Sequence, residues 1–340
     1  MAAKSDPLQS LSLPFNTRIK LAFFNLITDA VRRHDFTVNR RVMNFLDPRV
    51  PANPKPYRGV ATHDVTVDLD RHLWFRLFVP STAATSTSTP VIVFFHGGGF
   101  AFLSPASQTY DAVCRRFARR LNAVVCSVKY RLSPEHKFPA QYDDGFDVLT
   151  FLNHRRREIP EWPESADVTK CFVAGDSAGG NVAHNVVVRA CRAEFSDLKV
   201  IGLINIQPFF GGKERAKSEI EFEGAPIVSL DRTEWMWRAF LPDGLDLDHW
   251  AANVCGPNAV DISGLDFPAT AVFVGGFDPL QDWQRRYYEW LKRAGKAAEL
   301  VEYPTAIHAF YVFPELPETL HFFADVKEFI GRQCSKAGKK

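Results

Sequence analysis

The sequence predicts an α/β fold: a mostly parallel central sheet with helices on both faces, preceded by an N-terminal helical segment. Three observations carry this. From residue 91 onward, short apolar runs alternate with longer stretches of helical periodicity, the pattern of parallel strands joined by crossover helices. Two glycine-rich motifs, His96-Gly97-Gly98-Gly99-Phe100 and Gly175-Asp176-Ser177-Ala178-Gly179-Gly180, each follow one of the apolar runs. The second motif passes directly into the helix-like stretch 181–192, which puts a serine on a strand–turn–helix junction.

The elements follow in order. Residues 14–46 read as helical, because Ile19, Phe23, Leu26, Ile27 and Ala30 keep helical spacing and Val38, Val42, Phe45 and Leu46 repeat it. The proline-rich stretch 48–56 ends that segment, so 1–56 is expected to form a helical lid. Strand-like runs follow at 60–67 and 73–79, and the Ser/Thr-rich stretch 81–90 reads as a flexible connection. Strands are then expected at 91–95, 123–128, 171–174, 200–206, 270–274 and 299–303. The alternating helices are expected at 108–121, 142–155, 181–192, 282–292 and 318–330. The catalytic domain is placed at 57–334. Within it, 211–256 breaks the rhythm; it holds Trp235, Trp237, Phe240 and Trp250 and reads as a cap insertion. The tail 335–340 is expected to be disordered.

Bulk properties narrow the classes. A chain of 340 residues with 46% hydrophobic content supports one large domain with a full core. A net charge of +2 argues against a nucleic-acid surface, which needs a concentrated basic face. The arginine clusters Arg115-Arg116, Arg119-Arg120 and Arg155-Arg156-Arg157 fall on expected helices and read as solvated helix faces. The six cysteines form no Cys-x-x-Cys pair and lie mostly in apolar contexts, as buried reduced thiols do. No signal core and no membrane-length apolar run is found, so the cytoplasm is the expected location, with the nucleus open by diffusion. No metal cluster, phosphate loop or cofactor motif is present, and none is expected.

The two glycine motifs together define a chemistry. Glycines around Ser177 permit a tight turn that holds the hydroxyl out of the sheet edge. The His96 motif supplies backbone N–H groups able to face a developing oxyanion. The pairing marks an α/β-hydrolase, in which the catalytic residues run in the order Ser, acid, His. After the strand at 270–274 the first acids are Asp278 and Asp282. Asp278 stands in the loop where active-site groups of open sheets gather, whereas Asp282 suits the first turn of the next helix. Only His308 and His321 follow. His321 lies inside an apolar helix, and His308 lies in the loop after the strand at 299–303, where the base is expected. Ser177 is thus the expected nucleophile, His308 the base and Asp278 the residue that fixes the imidazole tautomer. Gly98, Gly99 and Ala178 are the expected oxyanion donors, with His96 and Gly97 in support. Asp176, as a neighbour on the turn, is expected to point elsewhere. The segment 130–136 with Asp143 and Asp144 reads as an ionic scaffold beneath the site.

These residues resemble the hormone-sensitive-lipase family of α/β-hydrolases, and in particular the plant carboxylesterases. The family patterns match at 96–99, 130–136, 175–180 and 278–282, and they imply Asp278 as the triad acid. Within the family, the segments 38–53, 179–185, 210–212 and 237–242 are similar to those of the soluble gibberellin receptors. In the receptors the lid folds over a hormone, the catalytic histidine is replaced by an aliphatic residue, and a serine stands where this chain has Gly99. Here His308 is present. The resemblance makes Tyr110, Asp231, Arg232 and Tyr311 candidate pocket residues.

The expected function is hydrolysis of small, largely apolar carboxylic esters through an acyl-enzyme on Ser177. Small-molecule esters are the expected partners, with no nucleic acid and no membrane. Two alternatives remain: a gibberellin-receptor-like binding protein that engages a protein partner through its lid, and a carboxylesterase-like lyase or dehydratase that uses the same oxyanion hole.

Overall fold

A computed structural model describes residues 11–338. Two helices come first, α1 (Phe15–Val31) and α2 (Arg40–Leu46), followed by the antiparallel strands β1 (Val60–Asp68) and β2 (Leu73–Pro80). The alternating region then runs β3 (Thr89–Phe95), α3 (Gln108–Leu121), β4 (Val124–Lys129), α4 (Ala140–Arg155), β5 (Ala166–Asp176), α5 (Ala178–Ala190) and β6 (Val200–Ile206). Two short helices, α6 (Lys217–Glu221) and α7 (Leu230–Phe240), interrupt it. It resumes with β7 (Ala269–Phe277), α8 (Gln281–Arg293), β8 (Ala298–Ile307) and α9 (Pro317–Ala337).

The eight strands form one sheet in the order β1-β2-β4-β3-β5-β6-β7-β8. β1–β2 and β2–β4 pair antiparallel, and every later pairing is parallel. The central strands β3, β4 and β6 are apolar at nearly every position because both faces are covered. On β3, Val91, Val93 and Phe95 enter one core with α4, α5 and α8. Ile92 and Phe94 enter the opposite core with α3 and α9. That two-residue alternation is the strand period, and it places helices on both faces as expected.

The N-terminal segment packs against the loop after β3 and against α7. Ile27, Val31, Val38 and Met43 form a small third core with Ala101, Phe102, Trp235 and Ala239. The predicted helical run 14–46 is broken into two helices. At the break, the Asp35 carboxylate accepts from the Thr37 N–H (3.0 Å) and hydroxyl (2.6 Å), a local turn that competes with helix. Several residues that set the helical spacing do not face inward: Ile19, Phe23 and Leu26 on α1, and Phe45 on α2, are more than half exposed.

Three further expectations are corrected. Ser81–Thr85 is a turn of 3-10 helix and Thr89 already belongs to β3, so 81–90 is ordered for most of its length. Helix α9 continues through Ala337, so residues 335–337 are helical; residues 339–340 lie outside the described residues. The Arg115-Arg116 pair is not a solvated face: Arg115 is buried, bound to Asp111 (2.7 Å) and the Val60 carbonyl (2.8 Å), and Arg116 is half-buried.

Candidate active site

Strand β5 ends at Asp176 and α5 begins at Ala178, so Ser177 is a one-residue elbow with φ 53° and ψ −121°. A side chain is unfavourable in that conformation. It is held by hydrogen bonds on both sides: the Ser177 N–H donates to the Ile206 carbonyl (2.9 Å), and its carbonyl accepts from Phe209 N (2.8 Å) and Gly180 N (3.0 Å). The flanking glycines are sterically required. A Cβ on Gly179 would stand 2.0 Å from the Phe95 carbonyl oxygen, and one on Gly175 would stand 2.2 Å from the Gly179 oxygen. The elbow is therefore pressed against the end of β3.

The acid and the base meet at the neighbouring strand ends. Asp278, in the loop after β7, is fully buried, and its Oδ2 accepts from His308 Nδ1 at 2.8 Å. The same oxygen accepts from Gln207 Nε2 (3.0 Å) and Gln284 Nε2 (2.8 Å), while Oδ1 accepts from Leu280 N (2.9 Å). With Nδ1 engaged, Nε2 is the ring nitrogen left for other chemistry. Gln207 also accepts from Ala309 N (2.8 Å), which fixes the turn that carries His308.

The His96 loop is held by a buried carboxylate. Asp176 accepts from Gly97 N (2.8 Å) and from the Tyr110 hydroxyl (2.8 Å), and the Tyr110 oxygen also accepts from Gly97 N (2.7 Å). Burial pushes the Asp176 carboxyl up to about 6, against the pull of Tyr110 and His308. The side chain thus turns back beneath the loop, a role its position beside Ser177 did not reveal. His96 stacks on Tyr130 with ring centroids 4.4 Å apart and donates from Nδ1 to the Gly97 carbonyl (2.8 Å). Burial holds its imidazole down at about 3, so it is neutral and structural. Gly98 (φ +105°) and Gly99 (φ +58°) adopt backbone that favours glycine. A Cβ on Gly99 would also strike the Met236 sulfur at 2.2 Å. The Ala178 N–H, first in α5, lacks an intrahelical acceptor, as do all N–H groups in a first turn.

These groups share one cavity of about 1250 Å³. Its lining includes Gly98, Gly99, Tyr110, Asp176, Ser177, Met236 and His308, together with Phe24, Ile27 and Thr28 from α1. Arg232 lines it too, bound in a bidentate pair to Asp29 (2.6 and 2.9 Å). Two of the four candidate pocket residues do not line it. The Asp231 side chain is 80% exposed and pairs outward with Arg32 (2.8 Å). Tyr311 is buried behind Asp176, its hydroxyl near that carboxylate but outside normal hydrogen-bond geometry. The scaffold beneath the site is present: Arg131 binds the buried Asp144 (2.9 Å), and the Tyr130 hydroxyl donates to the His96 carbonyl (2.7 Å). His321 lies on the exposed side of α9, and Asp282 lies in the first turn of α8. Among the described residues, no cluster of three or more metal-ligating side chains is arranged to hold an ion, and no helix is long and apolar enough to cross a membrane.

The sheet order, the serine elbow and the Asp–His pair at the strand ends define an α/β-hydrolase. The α/β-hydrolase-fold family matches residues 92–312. Gibberellin receptor GID1C of Arabidopsis thaliana is 41% identical over 95% of this chain and 95% of its own. Carboxylesterase 20 of the same plant is 34% identical over 91% of this chain and 95% of its own. Among solved structures, an esterase from the archaeon Pyrobaculum calidifontis has a TM-score of 0.73 at 28% identity, covering 95% of this chain and 99% of that one. An ester hydrolase from the metagenome of Lake Arreo gives 0.74 at 27% identity, covering 95% and 100%. The chain belongs to the hormone-sensitive-lipase-like α/β-hydrolases, in the group that holds both plant carboxylesterases and gibberellin receptors.

Proposed function

We propose that this esterase-type hydrolase cleaves small, largely apolar carboxylic esters through an acyl-enzyme on Ser177. The observation that carries the proposal is the buried Asp278–His308 pair in the same cavity as the strained Ser177 elbow. His308 Nε2 takes the Ser177 proton as Oγ bonds to the ester carbon, and the carbonyl electron pair moves to oxygen. The N–H groups of Gly98, Gly99 and Ala178 receive that oxyanion. Collapse expels the alkoxy group, which takes the proton from the imidazolium. Water then repeats the sequence on the acyl-enzyme and releases the acid. Asp278 stays ionised, fixing the tautomer and stabilising the imidazolium. The N-terminal segment over 11–56 acts as a lid that excludes water, residues 1–10 of the expected lid lying outside the described residues, and the apolar lining from α1, with Met236 and Phe102, favours an apolar acyl or alcohol group.

The first test is intact-mass analysis after treatment with a fluorophosphonate. The expected result is one adduct on the native chain and none on Ser177→Ala, which should also lose p-nitrophenyl ester turnover while staying folded. Equal turnover by the variant would sink the proposal.

A second reading is favoured by one surface. Phe15, Ile19, Phe23 and Leu26 on α1 and Phe45 on α2 are all more than half exposed, and the 41% identical relative is named a gibberellin receptor. The reading is a receptor-like protein whose lid, closed on a gibberellin, offers this apolar face to another protein. His308 and Gly99 favour the hydrolase instead. Titration calorimetry with gibberellins separates the two: no heat at high micromolar ligand removes the receptor reading.

A further inference from the structure

The cavity contains a cation that the proposed chemistry does not use. Arg116, on α3, lines the cavity that holds Ser177 and His308. Its Nη2 donates to the Val312 carbonyl (2.8 Å), and its guanidinium lies 5.9 Å from the Phe323 ring centroid. Nη1 is buried and has no hydrogen-bond partner among the described residues. Among those residues no carboxylate lies within ion-pair distance of Arg116, nor of Arg119 and Arg120, which line the same wall. The carboxylates of the cavity are already engaged. Asp47 is held by Arg49, Asp111 by Arg76 and Arg115, and Asp176 by Tyr110. Nearby Glu315 binds Lys20 (2.8 Å) and Thr17 (2.9 Å).

A guanidinium half-shielded from water without a counter-charge is costly, and its buried Nη1–H without an acceptor adds to that cost. Burial draws the Arg116 guanidinium down to about 10, still far above neutrality, so the charge remains. The wall is therefore electropositive. We infer that the cavity has a second subsite, at the Arg116 guanidinium, which takes a carboxylate borne on the far end of an otherwise apolar substrate. Arg119 and Arg120 are exposed to solvent, so Arg116 is the shielded cation of this wall, and one carboxylate balances it. The Tyr110 hydroxyl lies 2.7 Å from Gly97 N at the oxyanion loop, and Arg116 follows six residues later on α3, a rise of about 9 Å. An acyl chain of roughly octanoyl length is the probe matched to that rise.

The inference rests on the esterase reading for its substrate, so the test keeps the two apart. The probes are p-nitrophenyl octanoate and the mono-p-nitrophenyl ester of suberic acid, which differ in the terminal carboxylate. The full-length protein is expected to favour the half-ester by roughly tenfold or more in kcat/KM, the worth of one charge-assisted hydrogen bond. That ratio should collapse towards unity in Arg116→Met and be largely retained in Arg116→Lys. A native ratio at or below one overturns the subsite without any variant, as does a ratio that Arg116→Met leaves unchanged. If the native chain hydrolyses neither ester, calorimetry of monomethyl suberate against Ser177→Ala decides. Binding that Arg116→Met abolishes upholds the carboxylate subsite while the esterase reading fails, and absence of binding overturns the subsite.

Discussion

Asp278 is a fully buried carboxylate whose ion-pair partner among the described residues is His308. No arginine or lysine among the described residues pairs with it; two glutamine amides, a backbone N–H and His308 donate to it. Neutral donors satisfy the oxygens without competing electrostatically for the charge that an imidazolium at His308 would need. Replacing Asp278 with Asn keeps the shape and offers the imidazole an amide, which favours the wrong tautomer. The expected loss is about 10⁴-fold in kcat with little change in stability. Steady-state kinetics with a p-nitrophenyl ester checks it, and a loss below tenfold would contradict the assignment. At this scale the sequence was readable where chain order constrains chemistry: one serine on the glycine elbow, then the first acid after β7, then a histidine after β8. Gln207 and Gln284 were not legible, since glutamine neither titrates nor belongs to a motif. The available signal was position alone: Gln207 follows β6 directly, at the strand end where site groups gather. Asp231 and Tyr311 were carried over from resemblance, and side-chain direction, which a sequence does not encode locally, put them outside the cavity.

The N-terminal segment is fastened to α7 by four alternating charges. Asp29 binds Arg232 through both nitrogens and binds Arg32 (2.7 Å), and Arg32 also binds Asp231 (2.8 Å). Trp235 Nε1 donates to the Arg33 carbonyl (2.8 Å) beside them. At the far end Arg40 forks onto Glu135 and donates to the Ser133 carbonyl (2.6 Å), tying α2 to the loop beneath the site. Asp29 is the centre of the clasp, and its arginine partners hold its carboxyl below the ordinary range. It is also half-exposed, so solvent screens each pair and the clasp contributes only about 1 kcal/mol. Asp29→Asn should therefore raise amide exchange in α1 roughly fivefold through local opening and leave the central strands unchanged. Added salt should act the same way on the native chain. Unchanged exchange in α1 would place the lid's attachment in the small apolar core instead. The elements themselves were largely legible: α3 and β6 match their predicted limits, because clear periodicity and flanking turn residues bound them. The break between α1 and α2 was not, since apolar spacing continues across a turn that one aspartate side chain makes.

At the scale of the whole molecule, three buried titratable groups contribute to the response to acid. Burial holds His96 and His184 down at about 3, well below the ordinary histidine range, and pushes Asp176 up to about 6. The two histidines have separate surroundings: His96 stacks on Tyr130, and His184, on α5, meets the Tyr287 hydroxyl at 2.9 Å. Their signs differ from that of Asp176. A depressed histidine is neutral when folded and protonated when unfolded, so its stabilisation is present above about 6.5 and is lost as pH falls towards the folded value. A raised carboxyl stabilises most below its unfolded value and loses that contribution as pH rises through about 6. Near pH 5, unfolding takes up about two protons at the histidines and releases about one at Asp176. The histidines win, and stability from these groups falls by about 1.4 kcal/mol per pH unit on acidification. Below the ordinary aspartate range Asp176 is protonated in both states, but the two histidines then begin to protonate in the folded protein as well, so the slope stays near one proton before it fades. His184→Gln removes one histidine while keeping a polar atom for Tyr287, so it should flatten the slope by about one proton between pH 6 and 4. Urea unfolding of the native chain and the variant across that range measures it. Parallel slopes would mean that His184 titrates alike in both states, and acid lability would then have to arise in the surface ion pairs.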